Sequence, residues 1–156
     1  MKINKDFKLE LIASKDETRH TLKSIYVMQN GRSWAIATDG KALAQVPVEL
    51  EEGELSKGNS IKASDFKFQR SNPAIKKQAE MFCFLQPIEG QYPNTEMIWP
   101  KDEAKTTVLI DIELLYSLSR ALGTEKLKLE ITDNEKAIRV YSTKSEAKGL
   151  IMPCKL

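Results

Sequence analysis

The chain has only two cysteines and one histidine among 156 residues, and no apolar run nears the ~18 residues that a membrane-spanning helix needs. The single histidine, His20, sits in the polar segment SKDETRHT, so no Ser/His/Asp or Cys/His pairing is suggested. Cys83 and Cys154 lie far apart, with no CxxC and no histidine beside them. That spacing argues against a zinc site, and the two are read as buried thiols, with a disulfide between them left open. There is no glycine-rich loop of the phosphate-cradling kind and no cluster of metal-ligating residues. Catalysis, a metal and a cofactor are therefore not expected. The N-terminus, MKINKDFK, is charged where the apolar stretch of a signal peptide would begin, which gives a cytoplasmic expectation with no membrane partner.

An excess of charge of one sign is also missing. Lys and Arg number 24 against 22 Asp and Glu, a net charge of +2, too mild to identify a nucleic-acid binder by total charge. Clustering matters more, and 57–77 is the most basic stretch, with Lys57, Lys62, Lys67, Arg70, Lys76 and Lys77 against the single acid Asp65. What is present is the composition of an ordinary globular chain, 41% hydrophobic and 29% charged, at a length suited to one domain.

The hydrophobic rhythm is mostly that of strands. FKLELIA (7–13) and LKSIYVM (22–28) alternate apolar and polar residues, Asn30-Gly31 signals a hairpin turn, and strands are expected at Trp34–Thr38 and Leu43–Val48 around the turn signal Asp39-Gly40. In that turn the Asp39 side chain has a structural task. Residues 49–60 hold acids and two glycines without apolar periodicity and read as a solvated loop. Ser71-Asn72-Pro73 is a cap-and-start signal for a short helix. After a strand at Met81–Leu85, PIEGQYPNTEMIWP carries three prolines and a glycine and reads as an irregular connector pinned by Tyr92 and Trp99.

The strongest helix signal follows a strand at Thr107–Ile110. Asp111 is a natural N-cap, Ile112, Leu114, Leu115, Leu118 and Leu122 supply the apolar stripe, and Gly123 suits the position after the last turn. Strands at Leu127–Thr132, Ala137–Ser142 and Ala147–Met152 complete a β-α-β-β-β unit, and the N-terminal half reads as the same unit with its helix shortened or lost. The expectation is one α+β domain: an N-terminal half at about 1–50, a loop, basic insert and connector at about 51–104, and a C-terminal half at about 105–156.

Three strings carry a resemblance. TRHTLKSIYV (18–27) followed by ATDGKALA (37–44) looks like a strand and turn of the bacterial DNA sliding clamp, with Thr38, Asp39, Gly40 and Leu43 matching and Lys41 and Ala42 departing. IEGQYPNTEMIWP (88–100) is similar to the segment that closes the clamp's middle domain and leads to its last, matching at Gly90, Pro93, Ile98 and Pro100. LIMPCKL (150–156) is similar to the clamp's C-terminal tail, matching at Met152, Pro153 and Leu156, while Cys154 and Lys155 differ. The resemblance leaves much of 51–83 unmatched.

The resemblance implies a single DNA-clamp-like domain of antiparallel sheets built from β-α-β-β-β-type halves with a helix on one face. It also implies a peptide groove lined by Leu43, Pro100, Leu150, Met152 and Pro153, with Thr38 and Gly40 letting a peptide backbone approach. The partners would be DNA polymerase or other proteins carrying clamp-binding peptides. Double-stranded DNA would be held without sequence preference by Lys62, Lys67, Arg70, Lys76, Lys77 and Arg120, through phosphates. A clamp ring has six similar domains and a full subunit three, so a one-domain chain would encircle DNA as a homo-oligomer. The other reading is a monomeric adaptor or decoy that mimics the groove and binds no DNA.

Overall fold

The computed structural model describes residues 1–75, 78–88 and 90–155, and the chain falls into two compact units, Met1–Glu96 and Met97–Leu156. Each is a small α+β assembly of antiparallel strands. Among the described residues no helix is long and apolar enough to cross a membrane.

In the first unit, β2 (Ser24–Asn30), β3 (Arg32–Thr38) and β4 (Leu43–Pro47) form the expected meander. Trp34 faces Met28 on one side and Pro47 on the other. A further strand, β5 (Ser60–Lys62), joins the opposite edge of β2, so the order is β4-β3-β2-β5. A second sheet pairs β1 (Lys2–Asn4) with β6 (Glu80–Phe82). Period-two alternation sends Ile25, Val27, Ala35, Ala37 and Ile61 into one core with Ile3 and Met81.

The helices of the first unit sit where the sequence signals were weakest. FKLELIA is not a strand: Leu9–Leu11 is a single 3-10 turn in which the adjacent residues Leu9 and Glu10 are both buried, a pattern no strand facing one core can give. The loop at 49–60 contains the one-turn helix α1 (Glu54–Lys57) and ends in β5. The helix of the basic stretch is α2 (Ala63–Arg70), which precedes Ser71-Asn72-Pro73; that tripeptide forms a turn in which Asn72 Oδ1 accepts from Ala74 N–H at 3.0 Å. α2 buries Phe66 completely. Ile61, Phe66, Met81 and Cys83 thus belong to the first unit's core. Cys83 is buried, and burial pushes its thiol pKa up to about 12.

The second unit carries α3 (Ile112–Ala121) on one face of a sheet ordered β7 (Leu127–Glu130), β8 (Ile138–Ser142), β9 (Lys148–Ile151). Asp111 caps the helix as expected, its Oδ1 accepting from Glu113 N–H at 2.8 Å and Leu114 N–H at 3.2 Å. Asp111→Ala is expected to lower stability by about 1 kcal/mol, read by urea unfolding followed by circular dichroism. Leu115, Leu118 and Leu122 pack against Ile138, Val140 and Ile151, but Ile112 and Leu114 point to solvent, so the buried stripe is narrower than expected. The strand at 107–110 is reduced to one bridge, Leu109 with Cys154. Cys154 is exposed, not buried, and both cysteines are free thiols.

Candidate functional site: a self-held turn and an apolar sheet edge

The residues expected to line a peptide groove fall in both units, with Thr38, Gly40 and Leu43 in the first and Pro100, Leu150, Met152 and Pro153 in the second. In the first, β3 and β4 bring Thr38 opposite Leu43. The turn between them is held by its own atoms. The Thr38 hydroxyl donates to the Ala42 carbonyl at 2.7 Å and accepts from Gly40 N–H at 3.1 Å. Asp39 Oδ1 accepts from Lys41 and Ala42 N–H, both at 2.8 Å, and those backbone bonds, that from Ala42 foremost, hold its carboxyl below the usual range. Arg19 reaches in from the preceding segment, Nη1 donating to the Asp39 carbonyl at 3.0 Å. Gly40 takes φ +87°, and a Cβ there would lie 2.9 Å from Arg19 Nη1. Thr38 is buried, and the polar atoms of Thr38 and Asp39 are engaged inside the turn.

Tyr92 anchors residues 90–93. Its ring stacks on Tyr26 of β2 with centroids 4.8 Å apart, and its hydroxyl donates to the Ile36 carbonyl at 3.3 Å. Burial pushes the phenol up to about 12, so it stays a neutral donor at any physiological pH. Trp99, the expected second anchor, lies beyond the first unit and is half exposed.

The second unit presents a sheet face whose character changes from strand to strand. Across β7 and β8 it is charged: Glu130 Oε1 accepts from Lys128 Nζ at 2.7 Å, Glu130 Oε2 accepts from the Tyr141 hydroxyl at 3.1 Å, and Arg139 stands 3.5 Å from Glu130. On β9 the exposed Lys148 stands opposite Tyr141 and Leu150 opposite Arg139, and the apolar residues follow from Leu150 onward. Leu150 is 66% exposed, Met152 61%, and Leu109, bridged to Cys154 two residues on, 47%. Pro153 is half-buried beside them and Pro100 is exposed. Leu109 was missed as a surface residue, although alternation carries the signal: its neighbours Val108 and Ile110 pack into the core.

The described residues expected at DNA fall in both units. Lys62 and Lys67 are exposed at either end of the first turn and a half of α2. Arg70 instead holds the buried carboxylate of Glu10, with Nε at 3.0 Å and Nη2 at 2.5 Å from Oε1. Arg120 is exposed on α3 of the second unit, and Lys76 and Lys77 lie outside the described residues. Among the described residues no group of three or more His, Cys, Asp or Glu could hold a metal ion.

Neither a protein-family model nor a curated protein sequence matches the chain. Solved structures do. The sliding clamp (DNA polymerase III subunit beta) of Bartonella birtlesii, bound to griselimycin, superposes with a TM-score of 0.70 at 15% identity over 98% of this chain. The fold is that of the bacterial sliding clamp. The clamp of Streptococcus pyogenes gives 0.66 at 17% identity over 99% of the chain, and that of Borrelia burgdorferi, in complex with a natural product, 0.62 at 16% over 97%. The chain spans about half of each clamp: 50%, 50% and 46% of their lengths. The boundary between the two units, Glu96/Met97, falls inside the string 88–100 that resembles the passage from one clamp domain to the next.

Proposed function

We propose that this protein is a non-enzymatic, clamp-like replication factor that docks short peptides of polymerases or other replication proteins on the apolar edge of its second unit. The observation that carries this reading is the exposure of Leu109, Leu150 and Met152 beside a sheet face on which Lys128 and Arg139 pair with Glu130. Scattered exposed leucines need no explanation, but apolar residues gathered beside a polar surface are the anatomy of a docking site. Methionine in the wall suits several partners, since its unbranched side chain repacks easily. Burying one leucine or phenylalanine anchor there contributes about 1.5–3 kcal/mol. Two of the clamps that share the fold are themselves bound, one to griselimycin and one to a natural product.

Encirclement of DNA has less support. Of the cations expected at phosphates, Arg70 is engaged by Glu10, and α3 carries Asp111 and Glu113 against Arg120.

The test is fluorescence anisotropy with a labelled peptide that carries the clamp-binding motif of a replicative polymerase. Met152→Asp combined with Leu150→Asp is expected to weaken binding at least tenfold, about 1.4 kcal/mol. Both side chains are exposed, so unfolding curves should be unchanged. Unaltered affinity in the folded double variant would refute the reading.

A further inference from the structure

The sheet of the second unit ends at β9, and one side of that strand's backbone is unbonded. Ser142 N–H donates to the Ala147 carbonyl at 2.9 Å, and the register runs on through Val140 opposite Gly149 and Ile138 opposite Ile151. In an antiparallel pair, residues that exchange backbone hydrogen bonds alternate with residues that do not. Gly149 and Ile151 therefore bond to β8, while Lys148 and Leu150, opposite Tyr141 and Arg139, turn their N–H and C=O groups to the other side. β8 is the one strand paired with β9, and among the described residues no other backbone group bonds to Lys148 or Leu150. Both residues are exposed.

The path of the chain explains why this edge is open. A few residues further on the position beside the strand is taken, because Cys154 N–H donates to the Leu109 carbonyl at 2.8 Å in an antiparallel bridge. The same register would set Asp111 opposite Met152, but Asp111 is the N-cap of α3, and there the chain leaves the sheet. The row beside Leu150 and Lys148 is left without a strand. An edge of this kind accepts either another copy of the chain or an extended peptide. Charge selects between them. The edge segment carries Lys144, Lys148 and Lys155 against Glu146 alone, and among the described residues none of these lysines has a carboxylate within ion-pair distance. A second copy pairing there would add its own three lysines to them, whereas a strand that carries a carboxylate meets an unpaired ammonium.

We propose that the peptide partners dock as an added antiparallel strand along Lys148–Leu150, with an apolar side chain opposite Leu150 and, two residues later, a carboxylate opposite Lys148. This rests on the docking reading above and adds to it the conformation of the partner and its pattern, apolar-x-acidic. Directly opposite residues of paired strands have neighbouring side chains, so the apolar residue lies against Leu150 on the face that alternation also gives to Met152. The main-chain bonds supply affinity whatever the sequence, and the alternate side chains supply the choice.

Amide hydrogen exchange of the full chain, read by NMR with and without the polymerase-motif peptide of the anisotropy test, reports the pairing directly. In the free protein Gly149 and Ile151 are expected to be protected and Lys148 and Leu150 unprotected; saturating peptide should slow exchange at Lys148 and Leu150 by about tenfold or more. Anisotropy with two labelled strand-forming peptides, differing only in glutamate or lysine two residues after a leucine, reads the charge. The glutamate peptide should bind the protein about threefold more tightly, and Lys148→Glu should reverse that preference. Lys148→Pro removes an N–H that β8 does not use, so β9 should stay paired while both peptides lose about tenfold in affinity. Peptide binding that leaves exchange at Lys148 and Leu150 unchanged, or a preference that Lys148→Glu does not move, would overturn strand addition and leave the docking reading standing. No binding of the polymerase-motif peptide would overturn both. Protection of Lys148 and Leu150 that arises without peptide and grows with protein concentration would give the edge to a second copy and overturn the proposal as well.

Discussion

Phe66→Ala is expected to lower the stability of the protein by about 3–5 kcal/mol, while Phe68→Ala, two residues along the same helix, changes it by less than ~0.5 kcal/mol. Phe66 is completely buried in the core with Leu9, Ala13 and Ile61, whereas Phe68 is 77% exposed. Truncating Phe66 removes its transfer free energy and leaves a cavity among neighbours held by two sheets and a 3-10 turn, which limits how far they collapse into it. Against a typical total of ~5–15 kcal/mol, that loss is large enough to populate the unfolded state. Phe66→Leu, which keeps most of the volume, should fall between, and urea unfolding followed by circular dichroism reads all three. Equal midpoints for Phe66→Ala and Phe68→Ala would mean that α2 is a surface insert rather than a wall of the core.

That contrast also marks where the sequence was hard to read. The meander β2-β3-β4, its turns and the capped helix α3 were legible, because period-two alternation, Asn-Gly and Asp-Gly turns and an aspartate N-cap each act within a few residues. α2 was not. Only Phe66 of its eight residues is buried, so it has almost no apolar stripe to reveal, and long-range contacts with the 3-10 turn at Leu9–Leu11 fix it instead. FKLELIA misled for the opposite reason: its alternation is real, but tertiary packing buries Leu9 and Glu10 side by side because Arg70, sixty residues later, neutralises the glutamate. No local pattern announces a partner at that distance.

The candidate site was legible in part. The short strings at 37–44 and 150–156 located a turn and a sheet edge, and the turn proved to be held by its own side chains, which explains why those residue types stand together. Thr38, Asp39 and Gly40 are needed to build the loop itself, whereas Leu150 and Met152 leave their side chains free on the surface.

Gly58→Ala is expected to cost about 3–5 kcal/mol, several times the effect of Gly123→Ala. Both glycines take positive φ, at +154° and +63°, but a Cβ at Gly123 meets nothing within 4 Å and should cost about 1 kcal/mol of backbone strain. At Gly58 the Cβ would lie 2.2 Å from the carbonyl carbon of Gln86 and 2.6 Å from its oxygen. That oxygen accepts from Asn59 N–H at 3.1 Å, Ser60 N–H at 3.0 Å and the Ser60 hydroxyl at 3.0 Å. A methyl group must part the two segments where these three bonds converge, and each lost bond contributes ~0.5–1.5 kcal/mol beyond the strain. If the two variants unfold at the same urea concentration, the chain near Gln86 yields easily, and the edge of β5 is closed by a movable segment rather than a fixed one.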